Sequence, residues 1–333
     1  MVVVCCILGI GPGVFAKDYI YVPVTNALQV IDCETDTVVE TIPYNDYIVS
    51  AAYSPDGSRY YLNAWHSVYA IDTKTNKLID TYRFSSELSK TDVFGIAVSQ
   101  DGKKLYLSTW IVKKKPNVPK LNVMPPHLAV FDLEKEKIVK AYPIPSWAAG
   151  VLTLRNDPDN IILFGLDIHK LNLKTGELEK LAGLQHPEKG EEFKNALAIW
   201  NTNSPGDHGI FVIPYYTADS LGYLFIDRNN GDISTLKGED IFFEYAAVLS
   251  PDKKYIYAVM DELVKVDRAT GKTLKMTPVK MGTCYTLSMS SDGRKLYVGP
   301  AGPDMSVYDA ETLDLLSVIP LDGDGVLAHR ISH

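Results

Sequence analysis

A seven-bladed β-propeller of four-stranded antiparallel blades is the fold that this 333-residue sequence predicts. Three observations predict it: an acidic strand end that repeats, a turn phrase that recurs, and a strand count per repeat that matches one blade. The acidic position closes an alternating strand, as in VYAIDTKTNK and LVKVDRATGK, and falls at Asp32, Asp72, Asp132, Asn172, Asp227, Asp267 and Asp309. The intervals are 40, 60, 40, 55, 40 and 42 residues, so one unit repeats with insertions in the third and fifth copies. The turn phrase is SPDG at 54–57, SQDG at 99–102, SPDK at 250–253 and SSDG at 290–293, with NDPDN at 156–160 a degraded copy. Asp hydrogen-bonds nearby backbone there and Gly tolerates positive φ, so each phrase marks a hairpin between two strands.

Within a unit the strands can be read in order. In the second, IVSAAYS, SRYYLNAW, SVYAID and KLIDTYRF are rich in β-branched and aromatic residues and are joined by tight turns. We call them A to D from the channel outward. The third unit repeats the order with VFGIAVS, KKLYLSTW, LAVFDL and KIVKAYPI. The inner strands are nearly continuous in apolar residues, as expected of a blade packed on both faces.

Closure of the ring is also legible. The first unit begins with a B-like strand, DYIYVPV, followed by LQVIDC and VVETIPY, and so lacks its innermost strand. The C-terminal GVLAHRIS, residues 325–332, follows the seventh unit and is predicted to supply it. An unclosed ring would leave strand edges unpaired.

Residues 1–16, MVVVCCILGIGPGVFA, form an apolar run with small residues at Val14 and Ala16, and are read as a secretory signal preceding a single propeller domain at 17–333. The expected location is periplasmic or secreted. Removal of that run leaves Cys33 and Cys284, each in a strand-like stretch. They are read as two structural thiols, with a bridge between them as the alternative in an oxidising compartment. A net charge of −8 argues against nucleic acid, whose binding rests on Lys and Arg against phosphate. Lys113, Lys114 and Lys115, with Lys120 nearby, form the one compact basic run, read as a solvated loop or a docking patch for an acidic partner.

The two rims of the ring differ in composition. A to B and C to D turns are short and polar, whereas the B to C loops and D to A links carry Tyr44, Tyr47, Trp65, His66, Phe84, Phe94, Trp110, Trp147, Tyr215, Tyr216, Phe242, Phe243 and Tyr245. The same rim holds both insertions, 111–126 and the HPEKGEEFKN stretch at 186–195. Loops on a rigid scaffold commonly carry function, and interfaces favour Tyr, Trp and Phe. For each ring, packing between blades is the competing reading. In IPYYTADS, residues 213–220, strand alternation buries one of Tyr215 and Tyr216 and exposes the other.

Motifs for chemistry are sparse. The sequence has no nucleophile elbow, no paired-histidine zinc motif and no Cys-x-x-Cys-His haem attachment site. His66 lies beside Trp65 and His208 beside Asp207; His208 is a candidate for proton transfer, with an incidental loop histidine near an acid as the competing reading.

The segments DVFGIAVSQDGKKLYLS, HLAVFDLEKEKIVKAY, ALAIWNTNSPGDHGIFVIPYYTA, FFEYAAVLSP and SVYDAETLDLLSVIPL, in that order, resemble the β subunit of quinohemoprotein amine dehydrogenases from about Asp18 to the C-terminus. The WNTNSPGDHGIFVIPYYTA segment and FFEYAA are the more specific; SPDG-type turns occur in many propellers. The lysine-bearing insertion at 111–126 departs from the family. The resemblance implies a periplasmic heterotrimer, in which a γ subunit carries cysteine tryptophylquinone and the general base, an α subunit carries two haem c groups, and this chain holds no cofactor, no metal and no catalytic residue. It further implies that aromatic residues of this chain wall a small primary-amine pocket at the subunit interface; by position these are Tyr215, Tyr216, Phe94, Trp110 and Tyr245. Other readings are a YVTN-type interaction propeller, which YVPVTNALQVID at 21–32 resembles, a methylamine-dehydrogenase-like heavy chain, and a lactonase-like propeller with acids and histidines at the channel mouth.

Overall fold

The computed structural model describes residues 17–196, 208–280, 282–325 and 327–332. The expected signal at 1–16 and most of WNTNSPGDHG lie outside the described residues. These residues form seven antiparallel sheets in a ring and contain no helix.

Alternation explains how the ring holds together. In the innermost strand of blade 2, Ser50–Tyr53, Ala51 packs toward blade 1 and Ala52 toward blade 3; in the next strand, Arg59–Ala64, Tyr60 and Tyr61 divide the same way. The strand Ile210–Tyr216 of blade 5 sends Phe211, Ile213 and Tyr215 to blade 4 and Val212 to blade 6. Each of the seven seams between blades therefore has its own apolar cluster. Three inner strands of a blade are buried on both faces, while the outermost, such as Lys137–Pro143, is mostly exposed.

The repeat phrases have a physical cause. In SPDG the Ser54 hydroxyl donates to Asp56 Oδ1 at 2.5 Å and accepts the Arg59 N–H at 3.0 Å. The same pair of bonds recurs at Ser99, Ser250 and Ser290. Each acidic strand end accepts backbone N–H groups two or three residues on, as Asp72 does from Lys74 and Thr75, and Asn172 does from Lys174 and Thr175. Tyr21 OH reaches Thr73 O in the next blade at 3.1 Å, and Tyr297 OH reaches Cys33 O at 3.2 Å, so tyrosines tie the repeats across the seams.

Closure occurs as the sequence predicts. His329–Ser332 pairs antiparallel with Asp18–Val24, and blade 1 is completed by both ends of the chain. A polar clasp seals the junction: Asp18 Oδ1 accepts from Ser332 Oγ at 2.6 Å and Arg330 Nη1 at 3.2 Å, and Oδ2 accepts the Ser291 N–H at 2.6 Å. Cys33 and Cys284 are buried thiols in two different seams, which agrees with structural roles.

Blade 3 departs from four strands. Its insertion lengthens Ser89–Val98 and Lys104–Lys113 into a tongue beyond the blade, and a two-residue strand, Asn122–Val123, pairs with the latter. Lys113, Lys114, Lys115 and Lys120 are exposed on it.

Candidate functional site

The aromatic rim contains one continuous ladder of rings. Trp65, in the tight turn between the second and third strands of blade 2, meets Phe94 edge-on at 5.0 Å between centroids. Phe94 meets Trp110 at 4.6 Å, and Trp110 meets Trp147 at 4.9 Å in a T-shaped contact. These separations are favourable for aromatic pairs. The ladder spans blades 2, 3 and 4. Glycines permit the approach: a Cβ at Gly95 would lie 1.9 Å from Ala149 O, and one at Gly165 would lie 2.0 Å from Trp147 O.

A second regularity is positional. The innermost strands of blades 3, 6 and 7 each carry a bulge, and the extra residue is aromatic every time: Phe94 between Val93 and Gly95, Tyr245 between Glu244 and Ala246, and Tyr285 between Cys284 and Thr286. A bulge takes a side chain out of the alternation and re-aims it. All three rings are half-buried while their neighbours are buried, and Tyr245 meets Tyr285 at 5.1 Å.

Of the residues singled out from sequence, Phe94 and Trp110 therefore sit together, Tyr245 stands across the ring with Tyr285, and Tyr216 packs on Phe243 at 5.5 Å. Tyr215 is buried between blades 4 and 5, its ring lying over Gly222 directly opposite in the neighbouring strand. Tyr44, Phe84 and Phe242 likewise pack in seams. Exposed apolar surface on this rim includes Trp147 at 55%, Ile241 at 66% and Phe243 at 71%.

Beneath Tyr216 lies a buried carboxyl. Glu244 is wholly inaccessible; Tyr223 OH donates to its Oε1 at 2.9 Å, Tyr216 OH donates to its main-chain carbonyl at 3.0 Å and accepts its N–H, and Oε2 has no partner among the described residues. Burial pushes this carboxyl up to about 8, against the opposing Tyr223 bond. It is a proton-bearing strut between blades 5 and 6.

Next to Trp147 a cleft of about 210 Å³ opens, lined by Pro145, Ser146, Leu166, Asp167, His169 and His186 among others. Asp167 Oδ1 accepts the N–H groups of Leu184 and His186 at 2.8 and 3.0 Å, and Oδ2 faces His186 Nδ1 at 2.9 Å. Burial opposes ionisation of Asp167, but these bonds outweigh it and hold the carboxyl below the usual range. Burial, with the nearby Lys180 ammonium, holds the His169 imidazole below its ordinary range, against the pull of the Asp167 carboxylate. His66, by contrast, is tied to Thr91 O at 3.0 Å and to Asp92 at 3.2 Å. Sequence reading missed Glu244, Tyr285 and the Asp167 cluster; a Glu flanked by aromatics in FFEYAA was the one available signal.

No protein-family model and no curated protein matches the sequence. Among solved structures, similarity runs the length of the ring. A functionally unknown protein from Desulfotomaculum acetoxidans is 13% identical at a TM-score of 0.65, covering 94% of this chain and 98% of its own. Hydrazine synthase from Kuenenia stuttgartiensis is 15% identical at 0.56, with 90% of each chain covered. The dihydro-heme d1 dehydrogenase NirN, in complex with DHE, is 13% identical at 0.58, covering 93% of this chain and 74% of its own. At such identities the likeness shows the seven-bladed fold and leaves the chemistry to the site.

Proposed function

We propose that this chain is the cofactor-free propeller subunit of a periplasmic quinohemoprotein amine dehydrogenase, covering a quinone-bearing subunit and a dihaem subunit with its aromatic rim. The observation that carries the reading is the Trp65–Phe94–Trp110–Trp147 ladder, which leaves Trp147 largely exposed, with Ile241 and Phe243 exposed on the same rim at the link between blades 5 and 6. Exposed apolar surface gathered on a rim marks an interaction site, and Trp and Tyr are the residues on which binding energy concentrates.

Cysteine tryptophylquinone on the partner would supply the carbonyl that takes the primary amine. This chain's part is to exclude water and shape the pocket with half-buried Phe94, Tyr245 and Tyr285, whose only ionisable groups are the two tyrosine phenols. The apolar rings fit that task and a catalytic role for them does not arise. At the opposite end of the inner strands, a cavity of about 20 Å³ lined by Tyr53, Thr153 and Arg228 among others has room for roughly one water.

The test is dye-linked oxidation of primary amines by the assembly purified mildly from its source. Amine-dependent dye reduction that co-fractionates with this chain supports the reading; fractions containing the chain without such activity contradict it.

A further inference from the structure

We propose that the tongue of blade 3 docks the propeller on an anionic lipid surface, its lysines meeting lipid phosphates while its exposed aliphatic side chains enter the layer beneath them. This contact is separate from the subunit role of the aromatic rim. Residues 111–126 contain four lysines and no acid, so all 41 Asp and Glu residues of the chain lie outside them. A chain of net charge −8 is repelled by an anionic surface except at such a point. The charge is accessible: residues 113–123 are exposed without interruption, and among the described residues Lys113, Lys114, Lys115 and Lys120 enter no ion pair. At the root, Asp92 is engaged by His66 at 3.2 Å and Lys90 at 3.5 Å, which leaves Glu87 as an exposed acid beside the tongue.

A lysine run that served only solubility would not need the apolar residues that accompany it. Val118, Leu121 and Val123 are 43%, 53% and 70% exposed, and Leu88, whose carbonyl accepts the Lys114 N–H at 2.9 Å, is exposed beside them. Residues directly opposite one another in paired strands share a face. Lys90, Val112 and Val123 therefore stand abreast on one face of the tongue, and Ser89, Lys113 and Asn122 on the other. The Met124 N–H bonds Ile111 O at 2.8 Å, and Pro116, Pro119, Pro125 and Pro126 restrict the returning segment, so docking costs little ordering. Composition decides between a lipid surface and an acidic protein. Protein interfaces are depleted in Lys and concentrate binding energy on Trp, Tyr and Arg, none of which occurs in 111–126. Clustered lysines beside aliphatic residues suit an anionic bilayer, whose phosphates mobile ammonium groups can meet without a fixed geometry.

The experiment sediments residues 17–333, the whole closed ring without the apolar run 1–16, with vesicles of phosphatidylcholine alone or mixed with phosphatidylglycerol, at low and at high salt. Partitioning onto the anionic vesicles is expected, at least tenfold above that onto phosphatidylcholine and largely lost at high salt. Lys113→Gln, Lys114→Gln, Lys115→Gln and Lys120→Gln together lower it roughly 100-fold or more, at about fivefold per lysine. Leu121→Ser with Val123→Ser lowers it about tenfold and leaves its salt dependence unchanged. Lys74→Gln, Lys103→Gln, Lys253→Gln and Lys272→Gln, in the polar turns of the other rim, change the net charge equally and move it less than about threefold. Melting curves of the same variants show that the ring stays folded. Equal partitioning onto both vesicles, none onto the anionic ones, or partitioning indifferent to the tongue substitutions overturns the proposal; capture by immobilised polyglutamate without binding to anionic vesicles assigns the tongue to an acidic protein instead.

Discussion

Trp65 and Trp147 stand at the two ends of one aromatic ladder, and both hold a left-handed backbone, with φ of 55° and 62°. That conformation is unfavourable for a bulky L-residue by roughly 1–2 kcal/mol. Elsewhere in the chain it falls mostly on Gly, Asn and Asp, the types that turns select. Retaining tryptophan there sets backbone strain on an exposed rim, where a ring contributes less to folding than it would in a seam.

Trp147→Asn separates the two roles. Asn adopts left-handed φ readily, so the backbone gain offsets loss of the Trp110 contact, and the urea midpoint of the isolated chain should shift by less than about 1 kcal/mol in stability. Assembly with the partner subunits should weaken by tenfold or more. A variant that is markedly destabilised yet assembles normally would give Trp147 a role in folding instead.

Removing residues 325–333 takes away the inner strand of blade 1 and with it Leu327, Ala328 and Ile331, which pack in the seams on both sides of that blade. The melting temperature should fall sharply. Asp18→Asn is a milder version: it loses the charged acceptor of Ser332 and Arg330, and about 1–3 kcal/mol is expected. A melt indifferent to the truncation contradicts closure by the chain ends.

Glu244 gives stability an alkaline limb. Its folded-state pKa, about 8, lies above the ordinary 4.5, so the folded chain retains a proton that the unfolded chain has released in between. The stabilisation is complete below about pH 4.5, declines as pH rises, and is gone once pH passes through about 8. Glu244→Gln keeps the acceptor for Tyr223 and cannot ionise; it should flatten that limb by a few (about 3–5) kcal/mol. His329, buried and held down to about 4 by loss of hydration, acts on the other side: its contribution is complete above the ordinary 6.5 and is lost as pH falls through 4. Urea midpoints from pH 4 to 9 read both limbs, and a Glu244→Gln curve parallel to the parent rules out the buried proton.

Lys253 occupies the place that Gly57, Gly102 and Gly293 take in the other turn phrases, at φ 62° against 69–72°. Lys253→Gly should raise stability by about 0.5–1 kcal/mol, the left-handed penalty less the extra freedom of glycine when unfolded. A lower urea midpoint would show that the lysine makes a compensating contact.

What could be read from sequence was what each repeat decides locally. Six Asp strand ends and Asn172 mark seven turns because the side-chain oxygen of Asp or Asn accepts backbone N–H groups within three residues. Alternation likewise anticipated one buried and one exposed ring at Tyr215 and Tyr216; Tyr215 is buried, but Tyr216 is half-buried against Phe243 and bonded to Glu244. The site features that were missed depend on register between distant segments. Asp167 and His186 come from the turn and the outgoing link of blade 4, and nothing in either phrase points to the other. The bulges that put Phe94, Tyr245 and Tyr285 at one structural position interrupt the alternation from which strands are recognised. The 111–126 insertion was visible as a loop, but its lysines ride on a paired tongue.

Native mass spectrometry of the chain purified mildly from its source, with a visible spectrum of the same fraction, bears most directly on the aromatic rim as a subunit interface. The expected result is one heterotrimer, coloured by covalent haem c and containing a quinone-bearing small subunit, that dissociates when Trp147 and Phe243 are both replaced by Asp. A colourless chain that flies alone, with its rim still exposed, contradicts the proposed function.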